Sequence, residues 1–215
     1  MRRRVITISQ TTGAASDDVA RVAAARLGFR HVDEEIIEAV AERQGLDPAV
    51  VADVERRRSF LEAFWESLDS GDAPEIAAVA YGGGYVKPSP EGVRKDYAPL
   101  LRELIRTVVH ETALRGDVVI GSHAASFALA GRDDVLRVLV TASIETRVRR
   151  TADARELDEE QASRLVTDSD AGRMDYLKRF YRVDRELPTH YDLIVNTDSL
   201  DADEAVALVV RAASG

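Results

Sequence analysis

Small residues follow the first predicted β-strand at a place where the backbone could bind an anion. The sequence predicts a strand over residues 4–9 and an Ala-rich helix from Ser16 to Leu27, with Ser16 as its N-cap. The turn that joins them contains Gly13, Ala14, Ala15 and Ser16. Backbone N–H groups and the positive end of the helix dipole meet at such a turn, and small side chains let a phosphate approach. These four residues are therefore candidate nucleotide-binding residues, and the Ser16 hydroxyl is a candidate Mg²⁺ ligand.

The same turn departs from a complete phosphate-binding loop. The pattern GxxxxGK[ST] requires a second glycine and a lysine that pairs with the β- and γ-phosphates. This chain has neither, and Asp17 and Asp18 occupy the place where positive charge would help. Three interpretations stay open from the residues alone: a working nucleotide site, a nucleotide site that has decayed, or an ordinary strand–turn–helix.

A second group of candidates lies in an Arg-rich segment far along the chain. The chain carries a net charge of −9, yet residues 147–185 contain ten Lys or Arg and nine Asp or Glu, a local charge of +1. One such segment in an acidic protein predicts a small anionic ligand bound locally and argues against general nucleic-acid binding. Within this segment, Arg147, Arg150, Asp170 and Arg173 belong to the stretches TASIETRVRR (141–150) and DSDAGRMDYLKRFY (168–181).

These four residues also have a purely structural interpretation, in which ion pairs join neighbouring turns of solvated helices. The first two arginines could pair with Glu145 or Asp153. Asp170 could pair with Arg173, one turn away, without touching any ligand. Without further information, the segment therefore predicts either an anion site or an ordinary charged surface.

The alternation of short β-branched runs with helices predicts the fold class. The predicted strands cover residues 4–9, 29–32, 118–120, 135–140 and 191–195. Such runs, separated by helices, are typical of a parallel sheet that is covered on both faces. The sequence therefore predicts a three-layer α/β fold with a parallel sheet of about five strands. A chain of 215 residues suffices for one such domain.

Residues 46–95 interrupt this alternation and are predicted to form an insertion. Phe60, Phe64 and Trp65 share one face of a predicted helix, which is either core or a homodimer contact. Residues 71–93 then hold the densest Gly and Pro of the chain, which favours a hinge or a flap.

Composition excludes several classes of protein and site. The absence of cysteine excludes a disulfide framework and any thiolate metal site. No signal peptide and no apolar stretch long enough to span a membrane is found, so a cytoplasmic protein without a membrane partner is expected. His31, His110 and His190 are too scattered to support a metal site or a Ser-His-Asp triad.

Several short motifs, taken in order, resemble those of a known family. The first part of the chain reads ISQ, then GAAS, then LGFRHVDEEII. Later come IGSHAAS (120–126), ASIETRVRR (142–150), DAGR (170–173) and YDLIVNT (191–197). In this order and spacing the chain resembles the cytidylate kinase-like proteins, which are relatives of the nucleoside monophosphate kinases. The resemblance covers the whole chain except about residues 55–95.

The chain also departs from the family pattern at the phosphate loop. Gln10 stands where the family has an arginine, and two loop glycines are Ala15 and Ser16 here. His123 stands in place of the arginine of a G-R-G motif, although a strand-end histidine bonded to backbone would explain it equally well. Asp33 matches a family position that faces the acceptor nucleotide, and it is also the expected N-cap of the second helix.

The resemblance implies a fold, a reaction and a role for each candidate. The fold would be that of a P-loop kinase, with one domain over 1–215, an acceptor-side flap at 46–95 and a lid at 147–185. The reaction would move the γ-phosphate of ATP, with Mg²⁺, to a nucleoside monophosphate such as CMP or dCMP. The loop would hold the donor's phosphates, and Asp33 would face the acceptor, with His123 among the nucleotide-binding residues. The resemblance makes Arg147, Arg150, Asp170 and Arg173 the candidate catalytic residues of the lid, whose arginines would close over the transferring group. The alternative is an inactive relative that binds a nucleotide or phosphate as a sensor or partner-binding module.

Overall fold

The computed structural model describes residues 3–46, 48, 51–52 and 90–215, with the backbone alone for 90–98. It contains a five-stranded parallel sheet in the order β2-β3-β1-β4-β5. The strands are β1 Val5–Gln10, β2 Arg30–Val32, β3 Val118–Gly121, β4 Val135–Thr141 and β5 Leu193–Asn196. Five parallel strands confirm the predicted fold class, and the carboxyl ends of all five meet at one edge of the sheet.

Seven α-helices lie between and after these strands in the described part of the chain, in addition to the helical residues 48 and 51–52. They are α1 Ser16–Leu27, α2 Glu34–Gln44, α3 Pro90–Arg115, α4 Ala125–Ala128, α5 Ile144–Arg155, α6 Glu159–Tyr181 and α7 Ala202–Ser214. A short 3₁₀ turn, Pro188–His190, precedes β5. None of the described helices combines the length and the apolar character that are needed to cross a bilayer.

The two faces of β1 carry different chemistry because successive side chains of a strand point to opposite sides. Ile6 and Ile8 belong to an apolar core that also includes residues of α1 and α7. On the other side, the buried hydroxyls of Thr7 and Ser9 meet Ser126 of α4, at 2.8 and 3.0 Å. The sheet is therefore covered by helices on both faces, as predicted.

The strand boundaries follow the predicted ones to within two residues, and the differences have local causes. β5 begins at Leu193 and not at Tyr191, because the Tyr191 N–H bonds to the Pro188 carbonyl and closes the 3₁₀ turn. α3 already includes Pro90 and so extends further toward the N-terminus than the predicted start near residue 96.

The prediction that Ser16 caps α1 is wrong. Ala15 occupies the cap position in a left-handed conformation (φ 61°), and Ser16 is the first helical residue. No side chain caps this helix, and the loop enters it through the left-handed Ala15. The predicted end of α1 is confirmed: Gly28 is left-handed and its N–H bonds to the Ala24 and Ala25 carbonyls.

The chain divides into two compact units. The first comprises residues 1–33 and 109–215 and contains the whole sheet, and the second comprises residues 34–108. The predicted insertion at 46–95 falls largely outside the described residues, as does the Phe60, Phe64 and Trp65 face. The flap, the homodimer contact and the single-domain organisation stay predictions.

Candidate functional site

The loop between β1 and α1 is a tight turn held close to α5. The Ala14 N–H bonds to the Thr11 carbonyl at 3.0 Å, and Gly13 adopts a φ of +82°. A Cβ atom on Gly13 would collide with the Arg147 carbonyl oxygen and would lie 2.8 Å from the Thr151 hydroxyl. Only glycine fits this position, because the backbone there is left-handed and the neighbouring atoms leave no room for a side chain.

Arg147 joins this loop to α6. Its side chain is 7% exposed, and its Nε donates to the Thr12 carbonyl at 2.7 Å. Its two terminal nitrogens donate to both oxygens of Asp170, at 2.9 and 2.6 Å. The forked guanidinium thus makes a two-bond pair with the carboxylate while it also holds the loop. Two predicted catalytic residues that are far apart in the sequence therefore lie together at the loop.

Arg150, one turn further along α5, reaches the loop through a threonine. Its two terminal nitrogens donate to the Thr197 hydroxyl and carbonyl, at 2.9 and 2.8 Å. The Thr197 hydroxyl lies 3.0 Å from the Ala14 carbonyl, which it can bond as donor. Arg150 and Ala14, both predicted site residues, are thereby connected.

The structural alternative named the wrong partners for these residues. Glu145 and Asp153 pair with neither arginine, and Asp170 pairs with Arg147 and not with Arg173. The physical reason is burial: side chains that face the loop satisfy their hydrogen bonds there, whereas pairs along a helix form on its solvated side.

Arg173 lies one turn after Asp170 on α6, so the two side chains share a face of the helix. Its Nε and Nη2 donate to the Glu186 carboxylate, at 3.2 and 2.7 Å, and Nη2 also contacts the Tyr191 hydroxyl. Both side chains of the ion pair are less than one-fifth exposed. The third predicted arginine is therefore near Asp170 along the helix but does not share the partners of the other two.

Asp33 and His123 come together at the carboxyl ends of β2 and β3. The His123 Nε2 lies 2.7 Å from the Asp33 carbonyl oxygen and 3.3 Å from its carboxylate. The interpretation of His123 as a strand-end histidine bonded to backbone is thus correct, and it does not conflict with a place in the site. Gly121 allows this approach, because a Cβ there would lie 3.3 Å from the Asp33 carboxyl carbon.

A strained turn holds His123 in place. Ser122, His123 and Ala124 are all left-handed, with φ values of 57°, 52° and 47°. Non-glycine residues avoid this region at a cost of about 1 kcal/mol each or more, so three in a row persist only where the surroundings impose them. The surrounding structure therefore holds the backbone in an unfavourable conformation, and this fixes the position of the imidazole.

The surroundings of Asp33 keep its carboxyl ionised. Burial raises the pKa of Asp33, but hydrogen bonding and positive charge from His123, with smaller contributions from His31 and Gln10, outweigh it and leave the pKa below its ordinary value. A carboxylate accepts hydrogen bonds and cannot donate them. Asp33 is therefore suited to bind a hydroxyl or amino group.

The comparison with known proteins then establishes the family. The family model described as "Cytidylate kinase-like family" matches residues 5–199. This chain belongs to the cytidylate kinase-like family. A cytidylate kinase from Methanopyrus kandleri is 26% identical over 217 residues, which cover 97% of this chain and 92% of that protein.

Solved structures agree with this member of the cytidylate kinase-like family in fold. An uncharacterised protein from Eubacterium ventriosum matches with a TM-score of 0.65 at 13% identity, over 97% of both chains. A shikimate kinase from Bacteroides thetaiotaomicron matches with a TM-score of 0.50 at 16% identity, again over 97% of both chains. These similarities support the P-loop kinase-type architecture alone.

One residue of this cytidylate kinase-like site was missed in the sequence. Thr197, which is 3% exposed, contacts both Arg150 and the loop. The signal that could have identified it is the final T of YDLIVNT, one of the motifs that carry the family resemblance. The neighbouring Asp198 accepts from the Ser143 N–H and hydroxyl at 2.8 and 3.0 Å, and so holds the first turn of α5.

We expect Asp33→Asn to lower the free energy of unfolding by about 1–3 kcal/mol at pH 7, because the hydrogen bonds to the ionised carboxylate are weakened. The folded pKa is below the ordinary value, so this contribution is complete above about pH 4 and is lost as the pH falls through the folded value. Urea unfolding of both proteins at pH 7, 5 and 3 measures the difference.

Asp18→Asn is the matched control for this substitution. Asp18 is exposed and pairs with Arg21 on the surface of α1, so its loss should change stability by less than about 0.5 kcal/mol. A difference between wild type and Asp33→Asn that stays constant from pH 7 to pH 3 would contradict an ionised Asp33 in the folded protein.

Proposed function

We propose that this chain is a nucleoside monophosphate kinase that transfers the γ-phosphate of ATP to CMP or dCMP. Family membership supports a nucleotide kinase-like function. The observation that carries the proposal is the contact of Arg147 with both the Thr12 carbonyl and Asp170. It assembles the loop and the Arg-rich helices, which are the two parts that phosphoryl transfer needs.

In this proposal the loop binds the donor. The backbone N–H groups of Gly13, of Ala15 and of the first turn of α1 would hold the β-phosphate, with the helix dipole behind them. Ser16, which is buried, carries a hydroxyl at the start of that helix, and Asp17 and Asp18, the latter paired with Arg21, lie in the same turn. Hydroxyl and carboxylate oxygens are what Mg²⁺ prefers, so these residues fit a magnesium ion that enters with ATP and neutralises phosphate charge.

The acceptor would bind at Asp33 and His123. An ionised Asp33 repels a phosphate but accepts a hydrogen bond, so it would contact a hydroxyl or amino group of the nucleoside part. Because His123 stands in place of the arginine of the family motif, other cations would have to bind the acceptor phosphate. An oxygen of that phosphate attacks the γ-phosphorus, the bond to the β,γ-bridging oxygen breaks, and ADP leaves.

Arg173 is the arginine that we assign to the transferring phosphoryl group. It shares a helix face with Asp170, and its present hydrogen bonds use Nε and Nη2. The planar guanidinium suits the spread of charge over the equatorial oxygens of the transition state. Arg147 is engaged with the loop and Arg150 with Thr197, and a direct contact with phosphate would require them to leave these partners.

The second candidate function is an inactive relative that binds a nucleotide as a sensor or partner-binding module. The observation that favours it is that Arg147, Arg150 and Arg173 are each already paired with groups of the chain. Two carboxylates in the first turn of α1 also oppose a triphosphate in the absence of a metal.

Calorimetric titration with ATP, CMP and dCMP, each with and without Mg²⁺, followed by a turnover assay, separates these functions. Binding of donor and acceptor with turnover would support the kinase. Binding of a monophosphate alone, without turnover, would support the sensor. If none of the three nucleotides binds at millimolar concentration, the kinase function is wrong, and so is a sensor for any of these three ligands.

A further inference from the structure

Thr197 connects three parts of the site through one buried side chain and its own peptide. Its N–H donates to the Thr141 carbonyl at the end of β4, at 2.8 Å. Its hydroxyl lies 3.0 Å from the Ala14 carbonyl and accepts from Arg150 at 2.9 Å. A threonine hydroxyl has one proton to donate and two lone pairs that accept. Because Arg150 donates to it, the hydroxyl proton is left for a carbonyl oxygen, and the Ala14 carbonyl at 3.0 Å is a closer acceptor than the Thr141 carbonyl at 3.2 Å.

The carbonyl groups of the loop are held on the side of α5 and β5. Arg147 donates to the Thr12 carbonyl, and the Thr197 hydroxyl lies against the Ala14 carbonyl. In a trans peptide the C=O of one residue and the N–H of the next lie in one plane and point in opposite directions. Holding these two carbonyls therefore turns the Gly13 and Ala15 N–H groups to the opposite side of the loop.

We propose that Thr197, together with Arg150, is a positioning residue that aims the Ala15 N–H at the donor phosphate, as Arg147 aims the Gly13 N–H. This inference rests on the proposed function, since it explains how a loop without the usual lysine and glycines presents a preorganised anion site. The arginines then contribute by fixing backbone donors, which need not reorganise when the phosphate arrives.

Thr197→Val tests the inference, because valine keeps the shape of threonine and removes the hydroxyl. The matched control is Thr7→Val, which removes an equally buried hydroxyl from β1, where it bonds to Ser126 and not to the loop. We expect the affinity for pyrophosphate, measured by calorimetry, to fall about 10-fold to 100-fold in Thr197→Val. The affinity should be unchanged in Thr7→Val and largely restored in Thr197→Ser.

The orientation of the Ala15 N–H is measured separately in the ligand-free protein by residual dipolar couplings. It should change in Thr197→Val and not in Thr7→Val, whether or not any nucleotide binds. If wild type binds no nucleotide, the proposed function fails while this readout still decides the positioning role. An unchanged Ala15 coupling, or equal affinities for the two valine variants, would overturn the inference.

A double-mutant cycle separates positioning from direct contact at Arg150. If Arg150 acts through Thr197, the losses of pyrophosphate affinity in Arg150→Ala and Thr197→Val will not add, because each removes the same connection. Additive losses would mean that Arg150 contacts the phosphate itself, and would overturn its assignment as a positioning residue.

Discussion

Gly13→Ala is expected to lower the free energy of unfolding by about 3 kcal/mol, through a left-handed backbone penalty of about 1 kcal/mol and a steric clash of about 2 kcal/mol. The φ of +82° is unfavourable for alanine, and the new methyl group would collide with the Arg147 backbone and the Thr151 hydroxyl. α5 or the loop must then move. Chemical denaturation measures the loss, and calorimetry should show weaker nucleotide binding.

Gly28→Ala is the control that separates the two causes. Gly28 has a similar φ of +68° but open space where a Cβ atom would lie. It should therefore lose only the backbone part, about 1 kcal/mol, and leave nucleotide binding unchanged. Equal losses of unfolding free energy in the two variants would mean that α5 leaves room for a side chain at Gly13, which would contradict the close contact of α5 with the loop.

Arg173→Ala is expected to reduce turnover by about 100-fold to 1,000-fold, the effect of removing one donor to a developing oxyanion. The transition state of phosphoryl transfer carries charge that a cation at this position would neutralise. Steady-state kinetics with ATP and CMP measures the change. The matched control is Arg164→Ala on the same helix, because Arg164 is exposed and pairs only along the helix with Glu160.

The ion pair with Glu186 gives Arg173 a structural role as well, so a second variant separates the two. Glu186→Gln removes the charge pair and keeps the arginine. If Arg173 acts on the phosphoryl group, Glu186→Gln should retain most of the turnover at a cost in stability. Equal losses of turnover in Arg173→Ala and Glu186→Gln would assign Arg173 to the fold alone.

Local patterns predicted the sheet well, because their cause is local. A buried parallel strand needs a short run of β-branched residues, and Val118–Gly121 and Val135–Thr141 satisfy this on their own. The end of α1 was equally clear, since Gly28 adopts a backbone conformation that glycine favours. The start of α1 was not, because Ala15 takes a left-handed conformation that its own side chain disfavours.

The candidate site was predicted in membership but not in its connections. The resemblance of the motifs singles out Arg147 and Asp170, yet their bond to each other and the bond of Arg147 to Thr12 depend on how α5 and α6 pack. No periodicity encodes which carbonyl a buried guanidinium will reach. The same limit explains why Thr197 had a place in a motif but no role.

The short edge strand β5 carries a consequence for the energetics of the whole molecule. Thr197, which directly follows it, bonds to the sheet through the Thr141 carbonyl and to the proposed donor loop through Ala14. The coupling free energy between two sites is reciprocal. If the fixed loop increases the affinity for a nucleotide, a bound nucleotide must stabilise the edge strand against local opening by the same free energy. β5 has only four residues and would open easily on its own. The rate at which its amide hydrogens exchange would then fall when the donor loop binds a nucleotide.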